Sequence, residues 1–256
     1  MTRWTRALVT GASSGIGEAI ARQLAAENTR LVVVARDTGR LEALATELGG
    51  DVEVLTADLS TAAGVDAVAD RLRDGERPVD LLVNNAGFGF TGEFSTLDLT
   101  DEQRVIAVNV AALHALCHAA AGAMTGRGEG AILNISSVAA FFPTGGNATY
   151  AATKAFVTSF SDSLHQELKV RGVTVTSSCP GFTRTEFQER AGYDASEIPG
   201  ILWQSADDVA RDALDATAAG KAQAIPGLKN KVGAFAFRHV PRGLIRRVGG
   251  FDPEAW

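Results

Sequence analysis

Short apolar runs alternate with helix-like stretches from the first residues onward, and this alternation constrains the fold more than any other feature of the chain. Seven runs, at residues 7–9, 31–35, 52–55, 81–83, 131–135, 173–176 and 222–225, read as short, largely apolar strands, as strands do when both faces of a sheet are covered. Helical stretches such as 18–26, 40–48 and 65–72 lie between them. A strand–helix–strand order joined by right-handed crossovers folds into an α/β, doubly wound parallel sheet of about seven strands with helices on both faces. The chain of 256 residues, 46% hydrophobic and 21% charged, is long enough for one sizeable core, and it has no internal repeat or linker to mark a second domain.

Two helical segments need closer reading. Between residues 105 and 126 there is no Asp, Glu, Lys or Arg, about the length of a membrane-spanning helix. Asn109, His114 and His118 interrupt it and alanines replace leucines, so a buried core helix is expected. In the helix near Ala151, Phe156, Phe160, Leu164 and Leu168 recur every fourth residue and are read as the core face, with Asp162, Gln166 and Lys169 outward.

Composition excludes several functions. The 24 basic and 30 acidic residues leave a net charge of −6, which argues against nucleic-acid binding. Cys117 and Cys179 stand far apart, offering neither a disulfide scaffold nor a metal cluster. The start, Met1 to Arg6 leading directly into the apolar residues 7–9, leaves no room for a signal peptide, so a reducing, cytoplasmic setting is expected. Two stretches break the alternation. Residues 186–205 form a connection long enough to be a functional lid. Residues 216–251 carry no acid, while Lys221, Lys229, Lys231, Arg238, Arg242, Arg246 and Arg247 make a basic C-terminal extension over 226–256. That extension reads as a subunit contact or a solvated face, with membrane-surface docking as the alternative: Val232, Phe235, Ala236 and Val240 are amphipathic, but Pro241 and Gly243 break the helix.

The first strand ends in Thr10-Gly11-Ala12-Ser13-Ser14-Gly15-Ile16-Gly17, followed at once by a helix. Gly11 permits the tight bend, Gly15 lets backbone approach a pyrophosphate, and Gly17 allows close helix packing. Tyr150-Ala151-Ala152-Thr153-Lys154 places an ammonium one helical turn beyond a phenol, in a chain with two tyrosines and five lysines. Ser137 follows the fifth apolar run, at the carboxyl edge of the sheet where ligands bind. At the end of the second run, where an NAD-selecting chain places Asp or Glu, stand Ala35 and then Arg36. The Arg36 fork suits a 2′-phosphate, Ser13 adds a hydroxyl and Arg40 can assist, which favours NADP. Asp37 is positioned to pair with either arginine, which keeps NAD as the alternative.

Together the Thr10 to Gly17 turn, Asn84-Asn85-Ala86-Gly87, Asn109, Ser137, Tyr150, Lys154 and Pro180-Gly181 resemble the short-chain dehydrogenase/reductase family, in its single-domain main subclass. The likeness runs over about residues 5–187 and, within the family, is greatest to a bacterial group often labelled DltE-like. It implies a single NAD(P)-binding Rossmann-type domain over 1–256 and hydride transfer between a nicotinamide and a carbonyl or alcohol. By this resemblance Asn109, Ser137, Tyr150 and Lys154 form the catalytic set: Tyr150 as general acid, aided by Lys154 and its helix start, Ser137 bonding the substrate oxygen, and Asn109 kinking its helix around a relay water.

The cofactor set implied is Gly11, Ser13, Ser14, Gly15, Ile16, Gly17, Arg36, Asp58, Leu59, Asn84, Ala86, Gly87, Tyr150, Lys154, Pro180, Gly181, Thr183 and Thr185, with no metal. Within it Asp58 would accept the adenine amino group or else cap the next helix. Asn84, Ala86 and Gly87 would line the adenine ribose and tie the central strands together, and Pro180 to Thr185 would surround the carboxamide. Phe88, Phe90, Phe94, Phe141, Phe142, Phe187, Tyr193, Ile198, Ile201, Leu202 and Trp203 are expected to rim the catalytic edge, for a small apolar carbonyl or alcohol substrate. The reading is an NADP-dependent oxidoreductase that favours reduction. Its alternatives are an NAD-preferring alcohol dehydrogenase, a non-catalytic nucleotide sensor and a nucleotide-sugar epimerase. The resemblance also implies a homodimer or homotetramer through helices near 101–124 and 151–169.

Overall fold

The computed structural model describes residues 3–141, 145–192, 198–227 and 229–232. Strands β1 (Arg6–Thr10), β2 (Arg30–Ala35), β3 (Val52–Thr56), β4 (Leu81–Asn84), β5 (Gly130–Ile135), β6 (Val173–Ser178) and β7 (Gln223–Ala224) form one parallel sheet in the order β3-β2-β1-β4-β5-β6-β7. Eight α-helices are described: α1 (Gly15–Ala26), α2 (Thr38–Leu48), α3 (Ala62–Arg73), α4 (Leu99–Ile106), α5 (Leu113–Arg127), α6 (Ala148–Lys169), α7 (Phe187–Arg190) and α8 (Ala206–Ala218).

Alternate residues of the strands serve opposite faces. Leu8, Val32, Val34, Leu82, Ile132 and Val175 pack under α3, α5 and α6. Ala7, Val9, Leu31, Val33, Leu81, Val83 and Leu133 pack under α1, α2 and α8. Burial on both faces explains why the central strands read as largely apolar runs. The strand order reverses direction between β1 and β4, so the loops leaving β1 and β4 part there and open a crevice at the carboxyl edge.

Helices start on side-chain caps at Asp37, Thr61, Asp98 and Ser205. The start of α1 differs: extended Ser14 offers no side-chain cap, so the first-turn amides are left for another acceptor. The helix α4 continues through a π-helical turn, Ala107–Ala112, into α5, giving one helix of 29 residues that is long and apolar enough to cross a membrane. It packs instead as a core helix: Leu113, Leu116, Cys117, Ala120 and Met124 are buried against the sheet and α3.

The face of α6 departs from expectation. Its buried residues are Ala151, Thr153, Lys154, Val157, Thr158, Ser161 and His165; of the expected face, Phe160, Leu164 and Leu168 are partly buried and pack against the core from the flank, whereas Phe156 is 38% exposed. Small and polar side chains win the inner face because the sheet supplies partners there. Asn134 donates to Ser161 Oγ, the Thr158 and Ser136 hydroxyls bond each other, and His165 Nδ1 bonds the Val175 carbonyl.

Candidate active site

A cleft of about 1220 Å³ runs along the carboxyl edge from the end of β2 to Tyr150. Gly11 and Gly15 sit at φ +65° and +60°, the left-handed region, and the Cβ of any other residue at Gly17 would collide with the Gly11 carbonyl. Those demands account for the Gly-x-x-x-Gly-x-Gly spacing. Asn85 braces the turn from β4, with its Nδ2 donating to the carbonyls of Thr10 at 3.0 Å and Gly11 at 3.1 Å. Thr10 Oγ1 in return accepts the amides of Asn85 and Ala86, both at 3.0 Å. The bracing roles of Asn85 and Thr10 had no sequence signal beyond their places inside motifs.

Gly11, Ser13, Ser14, Gly15 and Ile16 line the cleft, as do Ala86, Gly87, Pro180, Gly181, Thr183 and Thr185. Gly17 lies behind the turn. Asp58 and Leu59 line it too, and Asp58 does not cap α3: its Oδ1 accepts from the Ser60 amide and hydroxyl, while Thr61 takes the cap. Those bonds from Ser60 hold the Asp58 carboxyl below its usual range.

Asn84 corrects an expectation. Its side chain is not on the cleft but buried between strands, donating to Asn134 Oδ1 at 2.9 Å and Cys117 Sγ at 3.2 Å. Alternation along β4 turns it toward α5, so it ties the central strands without touching the cleft.

At the β2 end Asp37 is committed to capping α2, accepting the Arg40 amide at 3.0 Å. Arg40 Nη1 reaches both Glu186 oxygens at 3.0 Å across the cleft mouth. Arg36 makes no ion pair among the described residues and lines the cleft.

At the far end three expected groups meet. Ser137 leaves β5 and Tyr150 and Lys154 stand on the first turns of α6; the Ser137 hydroxyl hydrogen-bonds Tyr150. Lys154 Nζ donates to the Ile135 carbonyl at 2.8 Å and lies 5.7 Å from the Tyr150 ring centroid. Burial pushes the Tyr150 phenol up to about 12, partly offset by the Ser137 bond, and burial pulls Lys154 down to about 8. The phenol therefore lies above its ordinary value rather than below it as the spacing alone suggested: loss of water outweighs the Ser137 hydrogen bond.

Asn109, 1% exposed, lies within the π-helical turn. Its Oδ1 accepts the Phe88 amide at 3.1 Å, and its Nδ2 donates to the Phe88 carbonyl at 2.8 Å and Thr153 Oγ1 at 3.1 Å. Asn109 Oδ1 and Lys154 Nζ both approach Gly87, at 3.1 and 3.4 Å from where a Cβ would stand. Gly89, which the motif reading passed over, packs on the Tyr150 ring so closely that a Cβ there would lie 2.6 Å from Cδ2.

The aromatic rim is smaller than expected. Phe88, Phe90 and Phe187 line the cleft, with Phe187 at 5.4 Å from the Tyr150 ring. Phe94, Ile201 and Leu202 point to solvent at 62%, 68% and 38% exposure, and Trp203 packs on Phe182 and Arg184. Phe141 and Ile198 do not line the cleft. Phe142, Tyr193 and the basic extension beyond Val232 lie outside the described residues.

The uncapped start of α1, the glycine cradle and the length of the cleft together fit a dinucleotide, with its pyrophosphate at the turn. Comparison with known proteins agrees. The short chain dehydrogenase family matches residues 5–195. A short-chain dehydrogenase from Sphingobium yanoikuyae, solved in complex with NADPH, is 38% identical, with 94% of each chain covered and a TM-score of 0.85. The bulky-bulky ketone specific alcohol dehydrogenase from Comamonas testosteroni is 30% identical, with 94% of this chain and 96% of that one covered and a TM-score of 0.79. Serine 3-dehydrogenase of Agrobacterium fabrum is 36% identical over 79% of this chain and 84% of its own. The chain belongs to the short-chain dehydrogenase/reductase family, and is an NAD(P)-dependent oxidoreductase.

Proposed function

We propose that the protein is an NADP-dependent oxidoreductase that interconverts an apolar ketone and a secondary alcohol, chiefly by reduction. The observation that carries this reading is the Ser137–Tyr150 hydroxyl contact, backed by Lys154 and facing Phe88, Phe90 and Phe187, at the end of a dinucleotide-sized cleft. The NADPH complex of one relative and the ketone specificity of another support it.

NADPH, when bound, supplies the hydride. Arg36 and Ser13 would hold the 2′-phosphate, Asp58 and Leu59 the adenine, Ala86 and Gly87 the ribose beside it, and Pro180 to Thr185 the nicotinamide end. Ser137 Oγ donates to the ketone oxygen and the Tyr150 phenol passes it a proton as negative charge develops there. Lys154 stabilises the phenolate left behind and holds the second ribose. Asn109 fixes the π-helical turn on which the Phe88 backbone rests. The exposed flank of α6 and Ile106, 49% exposed on α4, form the surface through which copies of the chain would associate.

A panel of ketones and alcohols, followed by NADPH absorbance, tests the reading. Tyr150→Phe is expected to abolish turnover while NADPH still binds. Turnover by that variant near the wild-type rate, or a wild type active only on polar substrates, would overturn it.

A further inference from the structure

We infer that Asn230, in the first turn of the C-terminal extension, is a positioning residue that fixes the Pro180–Thr185 loop against the cleft. The inference rests on the reading of that loop as the nicotinamide end. Pro180, Gly181, Thr183 and Thr185 line the cleft on one side. Behind the loop, the Asn230 carboxamide fills the space where a side chain on Gly181 would begin: a Cβ there would lie 2.5 Å from Oδ1 and 2.6 Å from Nδ2. A residue far along the chain thus occupies the space beside Gly181.

Asn230 also holds the segment that pairs with the loop. Its Nδ2 donates to Gln204 Oε1 at 2.7 Å and to the Pro226 carbonyl at 2.9 Å. Gln204 in turn joins the loop through its backbone, its amide donating to the Phe182 carbonyl at 2.9 Å and its carbonyl accepting from the Arg184 amide at 3.0 Å. Gly227 makes room for the Gln204 side chain, since a Cβ there would lie 2.5 Å from Nε2. Lys229 adds a bond from Nζ to the Ile201 carbonyl at 3.2 Å. One carboxamide thus meets three separate points of the chain, Gly181, Gln204 and Pro226. A binding loop that is held in place before its ligand arrives loses less freedom on binding. The beginning of the basic extension therefore acts on the cleft from behind.

The test compares NADPH with 2′,5′-ADP, which reaches only the adenosine end, by calorimetric titration, alongside trypsin cleavage after Arg184. Asn230→Ala is expected to weaken NADPH about 10-fold, or about 1.4 kcal/mol, to leave 2′,5′-ADP unchanged and to speed cleavage after Arg184. Gly181→Ala is expected to do the same by displacing the carboxamide. The double variant Gly181→Ala/Asn230→Ala should be no worse than Asn230→Ala alone, because the collision is gone. Asn230→Asp, which keeps the shape but removes both donated bonds, stands in if the alanine variant does not fold. Unchanged NADPH affinity and cleavage in Asn230→Ala overturn the inference, as does equal weakening of both ligands, which marks general destabilisation. If the wild type binds neither ligand, the cofactor reading fails instead, and cleavage in the single and double variants still decides whether Asn230 holds the loop.

Discussion

Arg36 stands alone at the end of β2 because its neighbours are engaged: Asp37 caps α2 and Arg40 reaches across to Glu186. One charge-assisted contact to a phosphate contributes roughly 1.5–3 kcal/mol, so Arg36→Ala is expected to lower the NADP-over-NAD affinity ratio by about 10- to 100-fold. Parallel titrations of both cofactors check this, and an unchanged ratio refutes it. A second residue-scale prediction concerns pH. Lys154 titrates at about 8 and Tyr150 at about 12, both moved by burial, so through neutrality the phenol keeps its proton and the lysine is the group that changes charge. NADPH affinity of the ligand-free enzyme should be level below about 8 and fall as pH rises through it, because the ammonium proposed to hold the ribose is lost. A Kd that is flat with pH up to 10, the ordinary phenol value, would contradict the assignment.

Among the elements, the π-helical turn Ala107–Ala112 depends most on one side chain. Asn109→Ala leaves the half-buried amide and carbonyl of Phe88 without their side-chain partner, a cost of about 1–3 kcal/mol for the pair. At about 2–4 °C per kcal/mol for a chain of this size, thermal unfolding should fall by roughly 2–12 °C, with the larger loss in turnover. A stability equal to wild type would show that water replaces the carboxamide without penalty.

Elements are also where sequence reading succeeds and fails for definable reasons. The strands and the Tyr150–Lys154 pair were legible because apolar runs and an i, i+4 spacing are local properties. The inner face of α6 was not, since large phenylalanines dominate the pattern while Ser161, Thr158 and His165 win the sheet through partners on other strands. The same holds for Asn84, whose partner Asn134 is 50 residues away, and for Arg40, which bonds Glu186 at a separation of 146. No window along the chain contains both members of such pairs.

For the whole molecule, Phe156 stacks on Phe160 along the flank of α6, and Phe160 in turn meets His114 of α5. A ridge of this kind, 38% exposed at Phe156, is apolar surface that association would remove from water. Phe156→Asp is expected to shift the protein toward monomers in sedimentation velocity, at little cost in folding stability because the position is on the surface. An unchanged sedimentation coefficient would mean that copies meet elsewhere or not at all.

Cys117 lies at the centre of the sheet's polar ladder, between Asn84 and Asn134, and burial holds its thiol up at about 12. Cys179 is equally sealed, with no exposed surface. In the native fold neither sulfur is open to the solvent, so an alkylating reagent attacks only after the central strands separate from α5 or α6. The slow uptake of such a label is then a clock for breathing at the heart of the sheet, one the protein carries without any engineered probe.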